Sequence, residues 1–178
     1  DMAIHRNVVP EKINDYNVYQ NGEKMIGLTE EVTLPEINMK TSTVEGPGIQ
    51  GEIDSPTIGQ FESMEATLKF LTLYSHAINL LNPNKTVNLT LRAAQQVYDR
   101  SGASGYDYKG LRVVLGGRSK QFNPGNVQRG ESMGAEVTIE VTKYLVEVDG
   151  QTVIDIDKLN ERYIVNGEDL LAPIKALI

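Results

Sequence analysis

The 178 residues suffice for one domain of ordinary size, and an apolar share of 40% provides a real core, so wholesale disorder is excluded. With no cysteine there are no disulfides, thiol catalysis or cysteine metal sites, and two distant histidines, His5 and His76, make zinc chemistry improbable. A formal charge of −7 argues against binding a phosphate backbone by counterion release and favours solubility or a surface that repels nucleic acid.

Residues 2–14 show no period and read as an N-terminal arm. They lack the apolar core of a signal peptide, and no run in the chain approaches the ~20 apolar residues of a membrane span. Synthesis in the cytoplasm is the expectation. Between Asp15 and Leu34, Y-N-V-Y-Q and K-M-I-G-L flank Asn21-Gly22, a strong hairpin signal, and E-E-V-T-L follows up to Pro35. Residues 42–60, rich in Gly and Pro, read as a long loop, and such loops are usually functional. Met64, Ala66, Leu68 and Phe70 alternate with polar residues, which predicts a strand with one buried face.

T-L-Y-S-H-A-I-N-L-L-N, from Thr72 to Asn82, is the best helix candidate. Leu73, Ala77, Leu80 and Leu81 share one face, and Pro83 follows the end. Val87, Leu89, Leu91 and Ala93 open a strand running to about Tyr98, with Leu111, Val113 and Leu115 on its partner. Residues 121–132 form a second loop. From Gly134 the alternation is strong: Val137, Ile139 and Val141 on one side, Thr138, Glu140 and Thr142 on the other. The phase then shifts, since Tyr144, Val146 and Val148 are even. Either the strand is covered on both sides within a sandwich, or a bulge re-aims the side chains, or one face meets the subunit core and the other a neighbouring subunit. A two-residue turn at Asp149-Gly150 would pair Val146 with Val153 and Leu145 with Ile154. The end, from Glu168, reads as a short helix whose latter half Pro173 weakens.

Several motifs carry chemistry elsewhere. Gly46, Gly48 and Gly51 spell G-x-G-x-x-G, but E-I-D-S-P follows, which opens no helix to hold a pyrophosphate, and Glu45, Glu52 and Asp54 would repel one. Asp155 and Asp157 share a strand face that could meet a cation but reads first as an exposed one. Arg112, Arg118 and Lys120 form a positive stripe or a charged, aggregation-resistant edge. No catalytic residue, cofactor site or metal site emerges from these patterns.

Y-N-V-Y-Q-N-G, E-E-V-T-L-P-E-I, G-P-G-I-Q-G and L-R-V-V-L-G-G-R-S-K-Q-F, followed by V-T-K-Y-L-V-E-V-D-G-Q-T-V-I-D-I-D-K-L-N-E-R-Y-I-V-N-G-E-D-L-L, resemble the major tail tube proteins of contractile-tailed bacteriophages and phage-tail-like bacteriocins. The final block is the most specific. The resemblance implies one mainly β domain over 1–178, a small β-barrel or sandwich with one packed helix and long hairpins that join a ring-wide inner barrel. It implies stacked hexameric rings forming a hollow tube, with no enzyme activity. The implied partners are further copies of the chain, a sheath protein, baseplate and tail-terminator proteins, and DNA that passes without specific binding. The particle would be a virion or tail-like assembly built in the bacterial host cytoplasm.

On that reading Val137, Ile139, Val141, Leu145, Val146, Val153 and Ile154 are expected at subunit interfaces. Asn88, Thr90, Glu136, Thr138 and Glu140 are expected to face the lumen, with Thr138 keeping the acidic stripe free of cations. Val44, Glu45, Pro47, Ile49 and Ile53 are expected to stack one ring on the next. The residues alone leave a second function open, a monomeric sandwich module that binds, for example, carbohydrate.

Overall fold

The computed structural model describes residues 8–24, 28–73, 78–101 and 105–178. Among the described residues twelve strands run in chain order: β1 (Val8–Gln20), β2 (Glu23–Lys24), β3 (Leu28–Thr33), β4 (Met39–Val44), β5 (Ile53–Phe61), β6 (Glu65–Phe70), β7 (Val87–Asp99), β8 (Tyr106–Asn123), β9 (Ala135–Val148), β10 (Gln151–Asp157), β11 (Arg162–Val165) and β12 (Glu168–Asp169). A helical turn, α1 (Ala172–Lys175), follows. All strand pairings among the described residues are antiparallel. The main sheet has the order β12-β11-β10-β9-β8-β7-β1-β2, and β3 and β6 branch from it at β9.

The branch explains how one sheet encloses a core. One edge of β9 is taken by β8 throughout. Its other edge is divided: β6 pairs with Ala135–Glu140, and β10 with Lys143–Val148. The two halves diverge at Val141 and Thr142, where the Val141 amide donates to the Met64 carbonyl at 2.8 Å and the Thr142 carbonyl accepts from the Lys158 amide at 2.9 Å. The inward rows of β6, β7, β8, β9 and β10 then meet, with Val18, Met64, Leu68, Phe70, Leu89, Leu115, Ile139 and Ile156 fully or almost fully buried. Each large apolar side chain so enclosed contributes about 1.5–3 kcal/mol.

The phase shift in β9 is a bulge. Gly116 pairs with Lys143 and Gly117 with Val141, so Thr142 is the extra residue. It returns Tyr144 to the same buried face as Val137, Ile139 and Val141. A second bulge, between Val146/Ile154 and Glu147/Thr152, leaves Val153 extra, so Val146 meets Ile154 rather than Val153 and Leu145 meets Asp155. The turn itself is as expected: Asp149 and Gly150 both take positive φ, 51° and 79°, as a type I′ hairpin requires. Asn21-Gly22 closes β1 onto β2 in the same way.

Other expectations need correction. The arm shrinks, because β1 begins at Val8 and pairs along β7. Register breaks at Pro10/Lys12 and Ile13/Asp15 remove the alternation that would have revealed it. The loop at 42–60 is largely a two-stranded ribbon in which Val44 pairs with Ile53 and Ser42 with Ser55; only the tip, 45–52, is loop. The terminal helix does not begin at Glu168, which lies in β12; it spans Ala172–Lys175, with Pro173 in its first turn, where a missing N–H costs nothing. The helix expected at Thr72–Asn82 falls partly on residues 74–77 and His76, outside the described residues. Leu80 is fully buried, and Leu73 and Leu81 pack on the core.

Candidate assembly surfaces

Val137, Ile139 and Val141 are 0–1% exposed in the single chain. They are core residues and have no surface left for a neighbour, which corrects their assignment to a subunit interface. They belong to one buried cluster with Met64, Leu68, Leu80, Leu115 and Ile156. Leu145, Val146, Val153 and Ile154 are only half-buried. Val146 and Ile154 pack at the margin of the core, while Leu145 lies in a row with Val114 and Asp155 across the sheet.

Asn88, Thr90, Glu136, Thr138 and Glu140 alternate with the buried rows of β7 and β9 and so lie on the sheet face turned away from the core. This face is not a bare acidic stripe. On neighbouring strands, Lys69 sits 3.8 Å from Glu136 and 3.6 Å from Glu31, and Lys120 binds Glu140 at 2.9 Å and Glu65 more closely. The expectation that Thr138 keeps cations away therefore fails. The counter-charges come from across the ladder, and Thr138 itself meets Thr67. Lys120 reaches outward because it is the extra residue of a bulge in β8, between Ser119/Ile139 and Gln121/Thr138. Hydrogen bonds to Glu140 and Glu65 raise the Lys120 ammonium above its ordinary pKa. Burial pushes the Glu140 carboxyl up, but hydrogen bonds from Lys120 and Ser63 outweigh it and hold it below its ordinary value.

The candidate positive stripe is likewise engaged. Arg112 pairs with Glu147 at 2.9 Å, and Arg118 donates to the Pro83 carbonyl at 3.1 Å. Asp155 and Asp157, expected to be exposed, are 16% and 8% exposed at the side chain and face Arg162 at 3.3 and 3.6 Å. Asp157 also accepts from the Leu159 and Asn160 amides and from the Asn160 side chain, which shapes the turn from β10 to β11. Burial acts to raise its pKa, yet these hydrogen bonds and Arg162 hold it below the usual carboxylate value. A depressed folded-state pKa means that its stabilisation is present above the unfolded value and is lost as pH falls through the folded one. Asp157→Asn is therefore expected to cost about 1–3 kcal/mol at neutral pH. The deficit relative to wild type should shrink in acid, which urea midpoints at pH 7 and pH 3 would measure. An equal deficit at both would remove the charge argument.

Of the expected stacking residues, Val44 and Ile53 pair at the end of the β4–β5 ribbon, with Glu45, Pro47 and Ile49 in its tip. Gly46, Gly48 and Gly51 occupy the same tip and lead into β5, not a helix, so the dinucleotide pattern is incidental. Ribbon side chains are mostly exposed on both faces. A two-stranded ribbon is marginal in water by itself. Sequence reasoning found the segment from its glycines and prolines but missed its pairing, because Pro56 and four glycines hide the period of two.

The fold is a branched antiparallel sheet with a separate two-stranded ribbon. The solved sheath/tube terminator of an extracellular contractile injection system, in its extended state, shares the fold with a TM-score of 0.51 at 14% identity, covering 78% of this chain and 96% of that one. The family model described as phage tail tube protein FII matches residues 10–178, and the chain belongs to that family. It is 27% identical over 165 residues to the tail tube protein of Escherichia phage P2, covering 92% of this chain and 94% of the relative. It is 26% identical over 162 residues to the major tail tube protein of Serratia phage KSP20, covering 91% of each. Its role is thus that of a structural tail tube protein, and tail tube proteins are virion components.

Proposed function

We propose that copies of this chain close into hexameric rings, and that the rings stack into the inner tube of a contractile tail. The observation that carries this reading is the β4–β5 ribbon, which exposes Val44, Ile53 and Ile58 in a single chain. A heterologous contact between such a projection and another part of the same surface generates rings or open stacks. Continuing the main sheet from copy to copy would also cover its edges. Leu145, Val146, Val153 and Ile154 would then meet the adjacent subunit, and Val44, Glu45, Pro47, Ile49 and Ile53 the adjacent ring. The face with Asn88, Thr90, Glu136, Thr138 and Glu140 would line the channel. Its ion pairs with Lys69 and Lys120 offset much of its negative charge, so DNA would pass without being held. A sheath outside the tube, with baseplate and terminator proteins at its ends, completes the assembly, built in the host cytoplasm.

Purified protein examined by sedimentation and negative-stain microscopy, alone and with baseplate components, is expected to give rings or tubes with a central channel. A chain that stays a monomer of about its own 19.7 kDa under both conditions would sink the reading.

A further inference from the structure

The inward face of the main sheet runs past the core. The row Val18, Leu91, Val113 is covered, but the next row, Tyr16, Ala93 and Leu111, is only half-buried, and the row beyond it is Ile13, Gln95 and Lys109. Leu34 stands at the margin of this uncovered stretch. The result is an apolar groove of about 230 Å³ with Ala93 in its wall. Ile13 and Leu34 in it are 45% and 37% exposed.

At the far end of the ribbon, Val44 and Ile53 form a cross-strand apolar pair, 40% and 52% exposed. A chain does not fill its own groove, since groove and pair are both open to solvent in the same molecule. The two are also complementary in charge. Residues 41–60 contain Glu45, Glu52 and Asp54 and no Lys or Arg. Lys109 lies on the groove face, one row beyond Leu111. Glu31, which also lines the groove, has Lys69 as a counter-ion at 3.6 Å.

We propose that the Val44–Ile53 end of one copy's ribbon seats in the Ile13–Tyr16–Leu34–Leu111 groove of a second copy. The inference rests on the tube reading and specifies the receptor for the ribbon. Each copy carries one apolar end and one groove on different parts of its surface. The contact therefore repeats head to tail, and each copy binds two others. Burying the pair removes apolar area from water on both partners, and the tip carboxylates approach Lys109 as it forms.

The absence of cysteine makes the test direct. Ile53→Cys and Leu34→Cys are introduced together, the protein is assembled, and oxidation is followed on non-reducing gels. A ladder of covalent oligomers is expected, collapsing to monomer on reduction. Mixing the two single variants should give only dimers. Ile53→Cys with Leu159→Cys, a highly exposed position away from the groove, should stay monomeric. If Leu34→Cys fails to fold, Ile13→Cys takes its place. Tubes that sediment normally but give no 53–34 or 53–13 cross-link overturn the groove and leave the tube standing. Wild-type protein that never assembles overturns both.

Discussion

Gly117→Ala is expected to lower subunit stability by about 3 kcal/mol or more, at or beyond the upper end of ordinary overpacking. A Cβ at this position would lie 1.9 Å from the Glu140 carbonyl oxygen, 2.9 Å from its carbon and 3.1 Å from the Val141 Cα. All three are backbone atoms at the fork of β9, held by pairing to β6 on one side and β8 on the other. None can swing aside as a side chain would. Against a total stability of ~5–15 kcal/mol the loss is large. The neighbouring glycine supplies the control. At Gly116 the added Cβ meets Lys143 Cβ at 3.2 Å and Asn88 Oδ1 at 3.5 Å, both side-chain atoms. Gly116→Ala should therefore cost well under half as much. Chemical denaturation of the two variants reads the difference, and equal stabilities would show that the fork is not pressed against β8 as described. The consequence for assembly is direct. This bulge keeps Tyr144 inward and Leu145 outward, so a subunit that relieves the clash by slipping register would present the wrong row to its neighbour.

The strands that alternate strictly were legible in the amino-acid order: Met64 to Phe70, Val87 to Ala93 and Ala135 to Val141 each place one row in the core. Turns with a steric signature were equally plain, because Asn21-Gly22 and Asp149-Gly150 accept the positive φ that few residues tolerate. Irregular segments were not. In β1 two register breaks scramble the face to which each residue belongs, and a strand read as an arm. At Val153 one extra residue shifts every later pair by one, which no local pattern announces. The inward destination of Val137, Ile139 and Val141 was hidden for a different reason. An apolar row is compatible with a core or with a neighbour until the rest of the buried cluster is seen around it. Counter-charges behaved alike: Lys69 and Lys120 are 67 and 20 residues from Glu136 and Glu140 in sequence, counted from their numbers, and only cross-strand register brings them together. The polar face was therefore readable as a set of residues, but its charge was not.

Replacing residues 45–52 by Asn-Gly, so that Val44 and Ile53 are joined by a two-residue turn, is expected to abolish tube extension while leaving the subunit folded. The design follows the observed pairing. Val44 and Ile53 are already partners, and a type I′ turn closes such a pair without strain. Residues 45–52 contribute nothing to the core, and all but Ile49 are exposed, so the unfolding midpoint should move by no more than the equivalent of about 0.5 kcal/mol. Shortening the closed loop removes a small entropic cost and acts, if anything, toward stability. Assembly should respond differently, because Glu45, Pro47 and Ile49 are lost together and the ribbon end is drawn back. A tip that orders against a neighbouring ring is needed for the contact, whereas a monomer is indifferent to it. Sedimentation of tubes, with denaturation of the same preparation as the folding control, separates the outcomes. Rings without tubes would place the tip between rings, and dispersed monomers would place it within the ring as well. Tubes of normal length from a normally folded variant would show that stacking runs through other surfaces, and the exposed ribbon would then require a partner other than this chain.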